Sequence, residues 1–187
     1  MSGLRGAVTE IRIAGFGGQG VILAAMIIGK AASIFEGGHS TMTQSFGPES
    51  RGGACSAQVI ISDSPILYPY VTRPDILVAM SQEAYSKFVP ELKDGGLLVV
   101  EQDLVSAEGL RSNIRAHQVP ATRLAEDLGK RMVLNVVMVG FFAAIAGLPG
   151  PEALRLAVKD SVPPAFRDLN LRAFDKGYDF AGTSRLS

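Results

Sequence analysis

Apolar positions along this chain switch repeatedly between a two-residue spacing and a helical one, and each switch marks an element. Thr9-Glu10-Ile11-Arg12-Ile13-Ala14 predicts a first strand over Thr9–Ala14. Val21, Ile22, Met26, Ile27 and Ala31 then recur at helical spacing, which predicts a helix over Gly18–Phe35 stopped by Glu36-Gly37-Gly38. His39–Ser45 and Ala54–Ser62 read as strands separated only by the run Phe46–Gly53. A parallel crossover needs roughly a dozen residues, so these two are expected to be antiparallel neighbours. Asp63-Ser64-Pro65 makes a turn, and Tyr68-Pro69-Tyr70 is extended. Asp75–Met80 and Leu97–Glu101 read as buried strands, with a short helix over Gln82–Phe88 between them and a further strand near Arg115–Val119. From there the pattern is helical: Thr122–Leu128, Arg131–Ala146, Pro151–Val158 and Pro164–Phe180, punctuated by Pro149-Gly150-Pro151 and Pro163-Pro164. This order predicts an α/β fold, a three-layer α/β/α domain with a mixed, mostly parallel sheet and a helical C-terminal part. A single domain over 1–187 is expected, with the sheet in about 1–120 and the helical part in about 121–187 packed on it.

Composition changes the functional picture more than the fold. Hydrophobic residues make up 47% and charged residues 19%, and the formal net charge is zero. That balance gives neither an electrostatic footprint for nucleic acid nor a basic face for a membrane, and it suits a permanent subunit. One cysteine, Cys55, cannot by itself form an internal disulfide, a zinc knuckle or an iron–sulfur cluster, and a reducing cytoplasm is the expected setting. Met1 to Val8 holds no sustained apolar run, so no signal peptide is expected. The apolar stretch Met132 to Leu148 is broken by Asn135, Gly140 and Gly147 and reads as a buried core helix. His39 and His117 are isolated, and no Ser/His/Asp set presents itself. The sequence therefore nominates no catalytic residue and no metal ligand.

The candidate chemistry lies in two glycine-rich loops. Gly15-Phe16-Gly17-Gly18-Gln19-Gly20 follows the first strand and opens the first helix, where backbone N–H groups can meet phosphate. A dinucleotide fingerprint would add an acid about 20 residues on, at the end of the next strand. Glu36 falls in the helix stop and Glu49 in the next loop, so that reading is disfavoured. Contact with a phosphate-bearing ligand or a partner's cofactor remains, with a purely structural turn as the alternative. The second loop, Ser45-Phe46-Gly47-Pro48-Glu49-Ser50-Arg51-Gly52-Gly53, carries an arginine suited to an anion, or equally to Glu49 or a neighbouring subunit. Asn135 reads as a buried amide capping a nearby loop or strand end in preference to a ligand contact.

At these residues the chain resembles the gamma subunit, or gamma domain, of the 2-oxoacid:ferredoxin oxidoreductases. That family joins a strand to GxGGQG and then carries a (S/T)(F/Y)GPExRGG loop, matched here by Gly15–Gly20 and Ser45–Gly53. Asn135-Val136-Val137-Met138-Val139-Gly140 and Asn170-Leu171-Arg172-Ala173-Phe174-Asp175-Lys176-Gly177-Tyr178 match further family patterns, so the resemblance spans nearly the whole chain. Ser50 departs from it, standing where relatives often carry a larger or apolar residue.

The resemblance implies a complex that decarboxylates a 2-oxoacid on thiamine diphosphate, passes electrons through iron–sulfur clusters to ferredoxin, and delivers the acyl group to coenzyme A. The loop form looks closer to the 2-oxoglutarate and branched-chain branches, with an indolepyruvate-type small subunit or a free-standing nucleotide-binding module as alternatives. It implies coenzyme A at this chain. Thiamine diphosphate, magnesium and the clusters are expected in partners: thiamine-binding and substrate-binding subunits and a ferredoxin-like subunit. Carried over by position, the implied cofactor-binding residues are Gly15, Phe16, Gly17, Gly18, Gln19 and Gly20, with Ser45, Glu49, Arg51, Gly52 and Gly53 at the phosphate or at a subunit interface.

Overall fold

The computed structural model describes residues 8–46 and 54–183. Strands β1 (Thr9–Phe16), β2 (His39–Phe46), β3 (Ala54–Ser62), β4 (Ile76–Ala79), β5 (Leu97–Glu101) and β6 (Arg115–Val119) form one sheet in the order β2-β3-β1-β4-β5-β6. β3 runs antiparallel to both neighbours, while β1, β4, β5 and β6 run parallel. The mixed, mostly parallel sheet and the antiparallel β2–β3 pair are as the sequence order predicts. Among the described residues six α-helices complete the fold: α1 (Val21–Lys30), α2 (Gln82–Phe88), α3 (Ala121–Glu126), α4 (Leu134–Ala146), α5 (Pro151–Ser161) and α6 (Arg167–Thr183).

Strand alternation divides the core between two faces. Ile11, Ile13, Val59, Val78 and Val99 turn to one face and pack with α1 and α3–α6. Ala14, Leu77, Ala79, Leu98 and Val100 turn to the other and meet Ala84 and Tyr85 of α2. The layers are therefore unequal, five helices against one. α4 runs through the thick layer with Leu134 to Ala143 all buried, as its unbroken apolar run requires. Its tightest neighbour is α6. A Cβ on Gly140 would strike the carbonyl oxygen of Phe174, and one on Gly177 would strike that of Val137. The two glycines let the helix backbones touch.

Several helix ends differ from the sequence expectation. α1 begins at Val21, three residues after the expected start, because Gly18 and Gly20 hold φ of 96° and 75°. It also ends early, widening into a π-turn over Ala31–Phe35. The hydroxyls of Ser33 and Ser40 both donate to the Gly29 carbonyl, at 3.0 and 2.9 Å, competing with the helical ladder there. α4 and α6 are each preceded by a 3-10 turn, Arg131–Val133 and Pro164–Phe166. α5 continues to Ser161, where Val162-Pro163 stops it.

Candidate functional site

β1 feeds α1 on the thick face, and its parallel neighbour β4 feeds α2 on the thin face. The chain thus leaves these adjacent strands in opposite directions, opening a crevice at their C-terminal ends. In open α/β sheets such a switch point is where ligands bind. The first glycine loop lies there.

The loop has a defined shape. Gln19 N donates to Phe16 O at 3.1 Å, closing a turn with Gly18 at its third position, φ 96°. That is a type II turn, which calls for a residue without a Cβ at this place. Gly20 follows in the left-handed region (φ 75°, ψ 25°) as the N-cap of α1, with no side-chain cap. Its carbonyl accepts from Ala24 N at 3.0 Å and starts the helical ladder. Among the described residues, the N–H groups of Gly17, Gly18 and Gly20 have no backbone acceptor. The first-turn N–H groups of α1 likewise lack intrahelical partners. With no acid between Gly15 and Val21, the loop is a cluster of donors at the positive end of a helix dipole, suited to an anion.

Two side chains hold it. Gln19 Oε1 accepts from Phe16 N at 2.7 Å and Gln19 Nε2 donates to Met80 O at 2.8 Å, so this amide spans the crevice from the glycine loop to the end of β4. It occupies the space a Cβ on Gly15 would need. The second is Asn135, 3% exposed, whose Nδ2 donates to Gly20 O at 3.3 Å. A Cβ on Gly20 would lie 2.6 Å from Asn135 Cγ. Asn135 takes the buried capping role that its interruption of an apolar face suggests.

In the second loop, Glu49, Arg51, Gly52 and Gly53 lie outside the described residues. Its flanks are clear: Ser45, exposed, pairs with Ser56, Phe46 with Cys55, and Ala54 with Phe16. Phe46 and Ala54, which flank that loop, therefore lie at the same rim as Phe16, where the first glycine loop begins.

Sequence reasoning passed over Glu101 and Arg12. Glu101 is 0% exposed at the C-terminal end of β5, and its carboxylate accepts from Asp103 N and Leu104 N at 2.8 Å and from Thr122 N at 2.9 Å. It stitches the strand end to the first turn of α3, and the signal was an acid closing an apolar strand. Arg12 is buried on the thin face, where it pairs with Glu91, donates to Val71 O at 2.9 Å and lies 4.6 Å from the centre of the Phe88 ring. Burial pushes the Cys55 thiol upward, away from thiolate chemistry. Among the described residues no group of His, Cys, Asp and Glu side chains could hold a metal ion, and no helix is long and apolar enough to cross a membrane.

A family model of pyruvate ferredoxin/flavodoxin oxidoreductase matches residues 10–180. The chain belongs to this family. It is 50% identical over 174 residues to the 2-oxoglutarate synthase subunit KorC of Methanothermobacter thermautotrophicus, covering 90% of this chain and 92% of that subunit. Among solved structures, the keto/oxoacid ferredoxin oxidoreductase gamma subunit of Geobacter sulfurreducens PCA superposes with a TM-score of 0.85 at 40% identity, over 95% of this chain and 98% of that one. The 2-oxoglutarate:ferredoxin oxidoreductase of Magnetococcus marinus, solved with 2-oxoglutarate, coenzyme A and succinyl-CoA bound, has the same fold at TM-score 0.85 and 24% identity. That match covers 96% of this chain and 32% of the larger one. The chain thus spans nearly the whole of the KorC and Geobacter subunits and about a third of the Magnetococcus chain.

Proposed function

We infer that this chain is the gamma subunit of a coenzyme A-dependent 2-oxoglutarate:ferredoxin oxidoreductase, and that its first glycine loop receives the diphosphate of coenzyme A. The observation that carries the reading is the pre-shaped donor loop at the β1–β4 switch point. The likeness to a KorC subunit over nearly its full length supports the substrate. The Magnetococcus enzyme, which shares the fold and was solved with coenzyme A, supports the ligand.

The donor set fits a diphosphate. Gly17, Gly18 and Gly20 let it approach the backbone, and the start of α1 supplies further N–H groups and a favourable dipole. Bound coenzyme A supplies the thiol that takes up the acyl group. This chain's part is to orient that molecule by its phosphates and to close the crevice with Gln19. Thiamine diphosphate, magnesium and iron–sulfur clusters belong to partner subunits, with ferredoxin as the electron acceptor and the cytoplasm as the location. One domain over the whole chain goes with this, since the C-terminal helices and the sheet share one core.

The test is Gly18→Asp in the assembled complex. Gly18 has no neighbouring atom within 4 Å of its Cβ direction, so the added carboxylate meets open space, while the φ of 96° strains the same donor turn; both effects act on this loop. The KM for coenzyme A is expected to rise tenfold or more with the KM for 2-oxoglutarate unchanged. An unchanged coenzyme A KM would remove the ligand assignment. Failure of the tagged chain to co-purify with a thiamine-binding chain and a ferredoxin-like chain would remove the subunit assignment.

A further inference from the structure

We propose that Asn135 is a positioning residue for this loop: it sets the peptide plane that aims the first N–H of α1 into the crevice, and so governs the affinity for coenzyme A without touching it. The inference rests on the ligand reading above and assigns the control of that site to another element of the fold.

The peptide joining Gly20 to Val21 is planar, so its C=O and N–H point in opposite directions. The carbonyl is held twice, by Ala24 N at 3.0 Å from within α1 and by Asn135 Nδ2 at 3.3 Å from α4. With the oxygen held by both donors, the Val21 N–H points away from them, and Gly17 and Gly18 just before it in the loop are exposed. The left-handed Gly20 sits at the hinge of this arrangement, and glycine moves between backbone regions at little cost. One hydrogen bond from α1 alone would leave that hinge free to rotate. Asn135 also packs close on this residue, since its Cβ and Cγ stand 2.9 and 2.6 Å from where a Gly20 Cβ would be.

The anchor is itself rigid. Asn135 is on a helix whose Leu134 to Ala143 are buried, and whose Gly140 lies against the backbone of α6. Gln19 fixes the other end of the loop to Met80 O. Between β4 and α4 the loop is clamped in its donor-out form before any ligand arrives, and binding then needs little ordering. Losing the clamp should therefore weaken binding and leave the chemistry intact once the site is filled.

The experiment compares Asn135→Ala and Asn135→Leu with wild type and Gly18→Asp, all in the assembled complex and with coenzyme A as the probe. Leucine keeps the buried volume and lacks the donor. Both Asn135 variants are expected to raise the KM for coenzyme A about tenfold, with kcat at saturating coenzyme A and the KM for 2-oxoglutarate within twofold of wild type. A general loss of structure would lower kcat and disturb both KM values, so this split separates positioning from stability. Should the alanine variant fail to assemble, the leucine variant gives the same readout. A coenzyme A KM within twofold of wild type in the Asn135 variants, with Gly18→Asp still raising it, would overturn the positioning role and leave the ligand reading standing. If Gly18→Asp also leaves that KM unchanged, the ligand reading falls and this proposal with it.

Discussion

Replacing Gly140 by alanine tests the packing on which the fold's thick layer depends. In an exposed helix the change would be favourable by about 0.5–1 kcal/mol, because alanine loses less backbone entropy. Here the new Cβ would lie 2.8 Å from the Phe174 carbonyl carbon and 3.0 Å from its Cα, besides striking the carbonyl oxygen. Carbon atoms rest about 3.5–4.0 Å apart, so α4 and α6 must separate by about 1 Å. No flexible side chain can yield, because every atom in the way is backbone. Overpacking a core in this manner costs about 1–3 kcal/mol, and the seam also holds the buried Phe141 and Phe174. Subtracting the propensity gain leaves a loss of about 1 kcal/mol, which for a chain of this size lowers Tm by about 2–4 °C. Thermal unfolding followed by circular dichroism measures it. The internal control is Gly182→Ala, on the same α6 but exposed and with nothing within 4 Å of the added methyl; it should leave Tm unchanged or slightly higher. If Gly140→Ala unfolds at or above the wild-type temperature, the two helices are not in backbone contact and the argument fails.

Glu101→Gln should destabilise by about 2 kcal/mol, since an NH2 group then faces N–H donors that were bound to a carboxylate, and chemical denaturation at constant m-value would show it. His117 has its pKa lowered from 6.5, first by burial and then by Arg115, so the unfolded chain binds the proton more readily. Its contribution is present above pH 6.5 and is lost as the pH falls through the lower folded value. Tm measured from pH 7.5 to 5 should fall with a shallower slope in His117→Asn, and an identical slope would sink the claim. Cys55, buried and with a raised pKa, should react with iodoacetamide at pH 7 far more slowly in the native chain than in denaturant, as read by mass spectrometry. Equal rates would place it at the surface.

The elements most legible in the sequence were those whose identity is local. β3, β5, β6 and α2 occupy the residues expected from alternation, apolar runs and their flanking turns. The start of α1 was misplaced because periodicity counts apolar spacing and is blind to φ, and two glycines with positive φ delay the helix to Val21. Its π-turn was invisible for a similar reason, as the Ser40 hydroxyl that takes the Gly29 carbonyl arrives from the next strand. The glycine loop at the start of α1 was legible from its motif. Its clamps were not, for Gln19 reaches 61 residues along the chain to Met80 and Asn135 reaches 115 back to Gly20.

These distant contacts give the separate motifs a common physical purpose. Gly15-Phe16-Gly17-Gly18-Gln19-Gly20 and Asn135-Val136-Val137-Met138-Val139-Gly140 look unrelated in sequence, as does the Phe174–Gly177 segment of α6. In the fold each hands on to the next. Gly20 lacks a Cβ so that Asn135 can reach its carbonyl, and α4 can hold Asn135 there because Gly140 lets it settle onto the backbone of α6. Gly177 makes the reciprocal space against Val137. A turn built on Gly17, Gly18 and Gly20 has few side chains of its own with which to stabilise itself. Its rigidity has to be imported from neighbouring elements, and the glycines on α4 and α6 bring those elements within reach.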